Sequence, residues 1–193
     1  MSFPRAIVLN GCSSSGKTSI ARELQNRLPQ QYVNFSIDSI LDGLPSEDRA
    51  AMQTGNVITR AGYDWRSLVR AYHYAIPGLL QAGLHLILDN AWCEADDIRE
   101  LLAELAGYPV WLVGVRCELA ELQRREVTRG DRATGLANWE YPRVHTFMTY
   151  DIEIDSSAIW PRQIAENLSS AILALQSEWG RGAVETMERL AAS

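Results

Sequence analysis

The chain has little that would cross-link it, thread it through a membrane or hold it to nucleic acid. Cysteine occurs three times in 193 residues, at Cys12, Cys93 and Cys117. An odd number without C-x-x-C spacing offers neither a disulfide framework nor a zinc site, and fits a reducing compartment. His73 and His85 show no ligand spacing either. No apolar run approaches the length of a bilayer span, and Met1 to Arg5 is too short for the basic and apolar regions of a signal peptide. A soluble, cytoplasmic protein is therefore expected. Positive charge is scarce as well: 18 Lys and Arg stand against 24 Asp and Glu, a formal net charge of -6. Nucleic acid and anionic membranes call for a clustered basic excess that replaces counterions, so neither is an expected partner. Repeats and low-complexity tracts are missing. So are the N-K-x-D and D-x-x-G patterns of a guanine-nucleotide switch and the L-S-G-G-Q of an ABC-type ATPase.

What is present is a globular composition. Hydrophobic residues make up 47% and charged residues 22%, and a chain of this length buries most of its apolar surface in one core. A single domain over 1–193 is expected. Its most informative stretch is Gly11-Cys12-Ser13-Ser14-Ser15-Gly16-Lys17-Thr18, which fits G-x-x-x-x-G-K-[ST]. In that pattern glycines let the backbone curl until successive N–H groups point inward at phosphate, the Lys reaches the β/γ-phosphates and the hydroxyl binds Mg²⁺. Arg5 to Asn10, continuously apolar from Ala6 to Leu9, reads as the buried strand before it. Ile20, Ala21, Leu24 and Leu28 keep helical spacing after it until Pro29. That helix adds its unpaired N–H groups and the positive end of its dipole to the anion site. Gly11 to Thr18 is thus the expected nucleotide cradle, with Cys12 a small loop residue in preference to a redox-sensitive thiol.

Tyr32 to Ile37 reads as a second strand delivering Asp38 to its C-terminal end, the edge where open parallel sheets bind ligands. Ser39 to Leu44 suits one or two helical turns, and the polar, aperiodic Ser46 to Asp64 reads as a long loop. Loops of that length in compact domains carry binding functions, so residues 39–74 are the expected substrate-recognition insert. Trp65 to Ala82 has helical spacing with Pro77 inside it; its Arg66, Arg70, His73 and Tyr74 suit substrate contact or a solvated face equally. Leu84 to Asp89 is a third strand ending in a second Asp, the layout of the carboxylate that holds Mg²⁺ in phosphate-loop enzymes. Val110 to Val115 reads as a buried strand between helices at Glu94 to Ala106 and Leu119 to Thr128. Arg129-Gly-Asp-Arg132 follows, and 129–140 reads as a basic lid whose guanidinium groups grip phosphate oxygens. Tyr150 to Asp155 alternates like an edge strand with Ile152 and Ile154 inward, and a long helix begun around Pro161 closes the chain. Strands alternating with helices make a three-layer α/β fold with a mainly parallel, five-stranded sheet.

Lys17, Thr18, Asp38, Asp89, Arg129 and Arg132 together point to phosphoryl transfer. That chemistry is mostly the placement of cations around phosphoryl oxygens, with a carboxylate, here Asp38, to take the proton of an acceptor hydroxyl. Further matching pieces are Phe35-Ser-Ile-Asp-Ser39, Ile87-Leu-Asp-Asn90, Trp111-Leu-Val-Gly-Val-Arg-Cys117, Thr128-Arg-Gly-Asp-Arg132, Val144-His145 and Tyr150-Asp-Ile-Glu-Ile-Asp155. With Ile7 to Thr18, they make the chain resemble the chloramphenicol phosphotransferase family, relatives of the adenylate-kinase-like small-molecule kinases, over nearly its whole length. The resemblance implies a P-loop NTPase fold and transfer of the ATP γ-phosphate, with Mg²⁺, to a hydroxyl of chloramphenicol or a similar small molecule. It places the family's catalytic aspartate on Asp38, its loop lysine on Lys17 and its lid arginines on Arg129 and Arg132. Gln53 to Tyr74 departs from the family's substrate-side segment, and Asn90 stands where an acidic residue is common. Nucleotides, sugar nucleotides and other antibiotics therefore stay open as acceptors, and a regulatory nucleotide-binding module is the alternative outside enzymes. His145 suits a contact to substrate or lid, or simple packing. An oligomer is neither indicated nor excluded by the apolar patterns.

Overall fold

Ala6, Ile7, Val8 and Leu9 have no exposed surface, and they form the middle strand of the molecule, β1 (Ala6–Asn10). A strand apolar at every position has to be covered on both faces. The computed structural model describes residues 3–129, 135–174 and 180–192. After β1 come α1 (Lys17–Gln25), β2 (Tyr32–Ser36), α2 (Ile37–Leu41), α3 (Ser46–Gln53), α4 (Trp65–Gln81), β3 (His85–Asn90) and α5 (Ala95–Glu104). They are followed by β4 (Val110–Arg116), α6 (Leu119–Arg129), α7 (Leu136–Glu140), β5 (Ile152–Asp155), α8 (Pro161–Ala174) and α9 (Arg181–Ala192). The strands form one parallel sheet in the order β2-β3-β1-β4-β5. Alternate side chains serve opposite faces. Ile7 and Leu9 meet Ile20 and Leu24 of α1 and Ile164, Leu168 and Ile172 of α8 on one side. Ala6 and Val8 share the other side with Tyr72, Ile76 and Leu80 of α4, Ile98 and Leu101 of α5, and Leu190 of α9. This is the three-layer α/β architecture expected.

Strand register sets what meets at the C-terminal edge. Asp89 lies opposite Leu9 on one side and Ser36 on the other, while Asn10 lies between Asn90 and Gly114. Three chain turns therefore converge there: the one leaving β1, the one leaving β3 and the one leaving β2. β5 is an edge strand as expected, with Ile152 and Ile154 half-buried and Glu153 and Asp155 exposed.

Several boundaries differ from the sequence reading. Ser46 to Asp64 is not all loop, because Ser46–Gln53 is helical. Pro45 stands at its N-cap and Glu47 and Asp48 in its first turn, where carboxylates complement the positive end of the helix. The helix has no apolar stripe to betray it, since its one buried side chain is the charged Asp48. β2 stops at Ser36, whose N–H donates to Ser39 Oγ at 3.3 Å, so Asp38 belongs to the first turn of α2 and not to the strand. α1 ends at Gln25, short of Leu28. The single closing helix is two, α8 and α9, and α9 folds back on the segment before β5. There Thr186 Oγ1 accepts from Thr149 N–H at 2.9 Å and donates to Thr149 O at 3.0 Å. Asp151 accepts from Gly182 N–H at 2.9 Å and from Leu112 N–H at 2.7 Å, tying α9, β4 and β5 together. Among the described residues no helix is long and apolar enough to cross a membrane.

Candidate active site

The phosphate loop is pressed against β4. A Cβ on Gly11 would stand 2.3 Å from the Val115 carbonyl oxygen, a contact only glycine avoids. The loop then turns through Ser14 (φ 65°) and Gly16 (φ 88°) into α1. A positive φ is uncommon outside glycine, so Ser14 marks a tightly determined curl. Lys17 is buried; its Nζ donates to Gly11 O at 2.9 Å and Cys12 O at 2.8 Å and lies 3.7 Å from Asp89 Oδ1. Thr18 Oγ1 donates to Asp89 Oδ2 at 2.6 Å. Three of the residues expected from sequence thus come together across β1 and β3.

A hydroxyl and a carboxylate are hard oxygen donors that suit Mg²⁺, an ion that keeps several waters and shares phosphate oxygens instead of needing an all-protein cage. No group of three or more His, Cys, Asp or Glu that could hold a metal is found among the described residues. Thr18 with Asp89 is the pair that fits.

The β2 side carries Asp38. Its side chain is 39% exposed, and Arg49 of α3 places Nη2 3.1 Å from Asp38 Oδ1 and 3.2 Å from Asp42 Oδ1. This cation beside the expected base could not be inferred while α3 was read as loop. Arg60, from the stretch after α3, donates to Asp48 at 2.7 Å. The α4 side chains are engaged with α5: His73 Nδ1 lies 3.0 Å from Glu100 Oε2, and Tyr74 OH donates to Glu100 Oε1 at 2.9 Å. Arg70 in turn donates to Tyr74 OH at 2.8 Å. Arg132 and the side chain of Arg129 lie outside the described residues. Flanking that segment, the buried Glu126 accepts from Gly135 N–H at 2.9 Å and Ala137 N–H at 3.0 Å, which fixes the start of α7.

On the opposite flank the structure adds residues that sequence did not nominate. Glu140, 5% exposed at the end of α7, accepts from Ser13 N–H at 2.5 Å and Ser13 Oγ at 3.0 Å. A buried carboxylate therefore anchors the first half of the phosphate loop. Burial, reinforced by that carboxylate, pushes the Cys12 thiol up to about 12, so Cys12 stays protonated and behaves as a small residue. Asn10 has no exposed surface. It accepts from Trp92 N–H at 2.8 Å and donates to Val144 O at 2.8 Å and to Tyr150 OH at 2.9 Å. Tyr150 reaches it across Gly114, where a Cβ would come within 2.6 Å of the phenol ring. Tyr150 OH also lies 2.6 Å from His145 Nδ1. An amide ending an otherwise apolar strand was the available signal for this hub, because a buried polar side chain needs partners. Beyond it opens a cavity of about 450 Å³ whose wall includes Cys12, Arg116, Tyr141, His145 and Asp155.

Solved structures share this architecture. A sugar kinase from Janibacter sp. HTCC2649 matches with a TM-score of 0.64 at 20% identity, over 86% of this chain and 93% of that one. The APS kinase of Mycobacterium tuberculosis, solved with AMPPNP and APS, matches with a TM-score of 0.64 at 15% identity, over 90% of this chain and 99% of that one. Their common fold, wrapped here around a G-x-x-x-x-G-K-T loop, is that of the P-loop kinases. Within that class residues 4–173 match the family described as chloramphenicol phosphotransferase-like protein, and the chain belongs to it. Relatives from two strains of Mycobacterium tuberculosis, each named "Putative O-phosphotransferase", are 28% identical over 180 residues, covering 85% of this chain and 80% of theirs.

Proposed function

We propose that this phosphotransferase moves the γ-phosphate of ATP to a hydroxyl of a small molecule, chloramphenicol or a chloramphenicol-like compound, in the cytoplasm. One observation supports this above the others. Lys17, Thr18 and Asp89 meet at the sheet edge, and Asp38 stands two residues beyond Ser36, the strand partner of Asp89. Asp38 of α2 and Asp89 of β3 lie on one side of the loop, and in this reading the nucleoside lies on the other, over the ends of β4 and β5.

In this reading Lys17 leaves the Gly11 and Cys12 carbonyls for the phosphates, and the loop N–H groups hold the polyphosphate in line. Thr18 and Asp89 would hold Mg²⁺, which would supply neutralising charge to the phosphates. Asp38, steadied by Arg49, orients the acceptor hydroxyl and takes its proton. Arg129 and Arg132, on a lid over 129–140, cover the transferring group, where charge spreads over the phosphoryl oxygens. The 39–74 insert, with α2 and α3, walls the acceptor. A second reading keeps this chemistry and changes the acceptor to a nucleotide, a sugar nucleotide or another antibiotic. It rests on the divergent stretch Gln53 to Tyr74.

ADP release from Mg·ATP, measured with and without chloramphenicol and checked by product mass, tests the proposal. Stimulation that Asp38→Asn cuts roughly 10²-fold, with ATP still bound, is the expected result. ATP binding without stimulation moves the search to other hydroxylated acceptors. ADP release that ignores every hydroxylated compound but responds to a protein partner makes the chain a regulatory module.

A further inference from the structure

The hydrogen bonds that radiate from Asn10 have a readable polarity. Trp92 N–H can only donate, so the amide oxygen of Asn10 faces it; Val144 O can only accept, so the amide nitrogen faces that side. The same nitrogen donates to Tyr150 OH at 2.9 Å. The phenol oxygen is thereby an acceptor, and its own proton goes to the remaining neighbour, His145 Nδ1, at 2.6 Å. Burial raises the Tyr150 phenol well above its ordinary value, so that proton is retained. Nδ1 accepts, which leaves the imidazole proton on Nε2. Burial, with the nearby Arg116 charge, pushes His145 down to about 4, and the ring is neutral at physiological pH. Nε2 makes no hydrogen bond to the described residues, and His145 lines the 450 Å³ cavity beside Cys12. A backbone amide of Trp92 and a backbone carbonyl of Val144, both bonded to Asn10 at the root of the phosphate loop, thus fix one N–H donor on the wall of the proposed nucleoside flank.

We propose that His145 is the residue that selects the nucleobase, its Nε2–H donating to a ring nitrogen of adenine. The inference rests on the ATP-kinase reading and adds the atom that recognises the base. Glu118 and Asp155 on the same cavity are acceptors suited to the exocyclic amine. Adenine carries a donor amine beside a ring acceptor, whereas guanine carries a carbonyl oxygen there, which would face those carboxylates. Tyr150 and Asn10 are positioning residues: they set which ring nitrogen of His145 bears the proton.

Equilibrium calorimetry on the full chain tests this with ATP, GTP and ATP analogues in which N1, N3 or N7 is replaced by C–H. In the native protein one analogue should bind roughly tenfold more weakly than ATP, the effect of one lost hydrogen bond. In His145→Phe that ratio should fall to about one, and in His145→Gln, whose amide N–H₂ reaches the Nε2 position, it should return. Tyr150→Phe should shrink the ratio while thermal melting shows a folded protein, and it carries the comparison where His145→Phe prevents folding. A full ratio in His145→Phe or in Tyr150→Phe, or equal binding of ATP and all analogues to the native protein, overturns the assignment. Failure of the native protein to bind any nucleoside triphosphate overturns the kinase reading itself and this proposal with it.

Discussion

The two flanks of the phosphate loop are held by different physics. On the β2–β3 side Asp38 is 39% and Asp42 71% exposed, and both lean on Arg49. Solvent screens such pairs, which are worth about 0 to 1 kcal/mol. On the β4–β5 side Glu140 and Asn10 are buried and bonded to loop backbone and to distant chain. Removing one partner there strands a buried polar group, at a cost of about 1 to 3 kcal/mol. Exchanges of side chains on the first flank should therefore cost the fold less than exchanges on the second.

The contrast is open to test from its centre outward. Lys17→Ala removes the cation common to both flanks and should lower kcat/KM roughly 10³-fold with weaker ATP binding; unchanged turnover would take the cradle out of the mechanism. Glu140→Ala leaves Ser13 N–H and Oγ without their carboxylate. It should cost about 1 to 3 kcal/mol of stability in denaturant titration and raise the KM for ATP more than the KM for acceptor. Glu140→Gln, which preserves an acceptor for Ser13 N–H, should recover most of that loss. Equal damage to both KM values would dissolve the distinction between flanks. Arg49→Ala should change stability by less than about 1 kcal/mol and kcat only a few-fold; a collapse of stability would show that the acceptor flank is as rigid as the other.

A pH dependence is expected as well. His145 sits at about 4 in the folded protein against an ordinary 6.5, so the unfolded chain takes up its proton first. Its neutral form therefore contributes stability in full above about pH 6.5, and the contribution fades as pH falls toward 4. Melting temperature between pH 7 and pH 5 should fall further in the native protein than in His145→Gln. Parallel curves would place the ring in water.

What could be read from sequence was local or strongly patterned. The loop from Gly11 to Thr18, the apolar run of β1 and Asp89 near the end of β3 are each legible within a few neighbouring residues. α3 escaped because its buried member is a charged side chain, and α9 because its partners, Thr149 and Asp151, lie some thirty residues upstream in contacts no periodicity records. Asn10 and Glu140 escaped for the same reason on a longer scale. Their partners Val144, Tyr150 and Ser13 are separated from them by 134, 140 and 127 positions, and no motif links them. Arg129 and Arg132 are nominated by the chemistry of guanidinium groups and by the family resemblance, and Arg132 with the side chain of Arg129 lies outside the described residues.

On the proposed reading of His145, the choice of base goes back to Gly114. The phenol of Tyr150 occupies the space where a side chain on β4 would stand. One added methyl at this position would displace the ring, break its link to Asn10 and free His145 to carry its proton on either nitrogen. Gly114→Ala is then a change of nucleotide preference made without altering a single polar group. Bases would be told apart, on this view, by the absence of a carbon atom on a strand whose own role is to be covered.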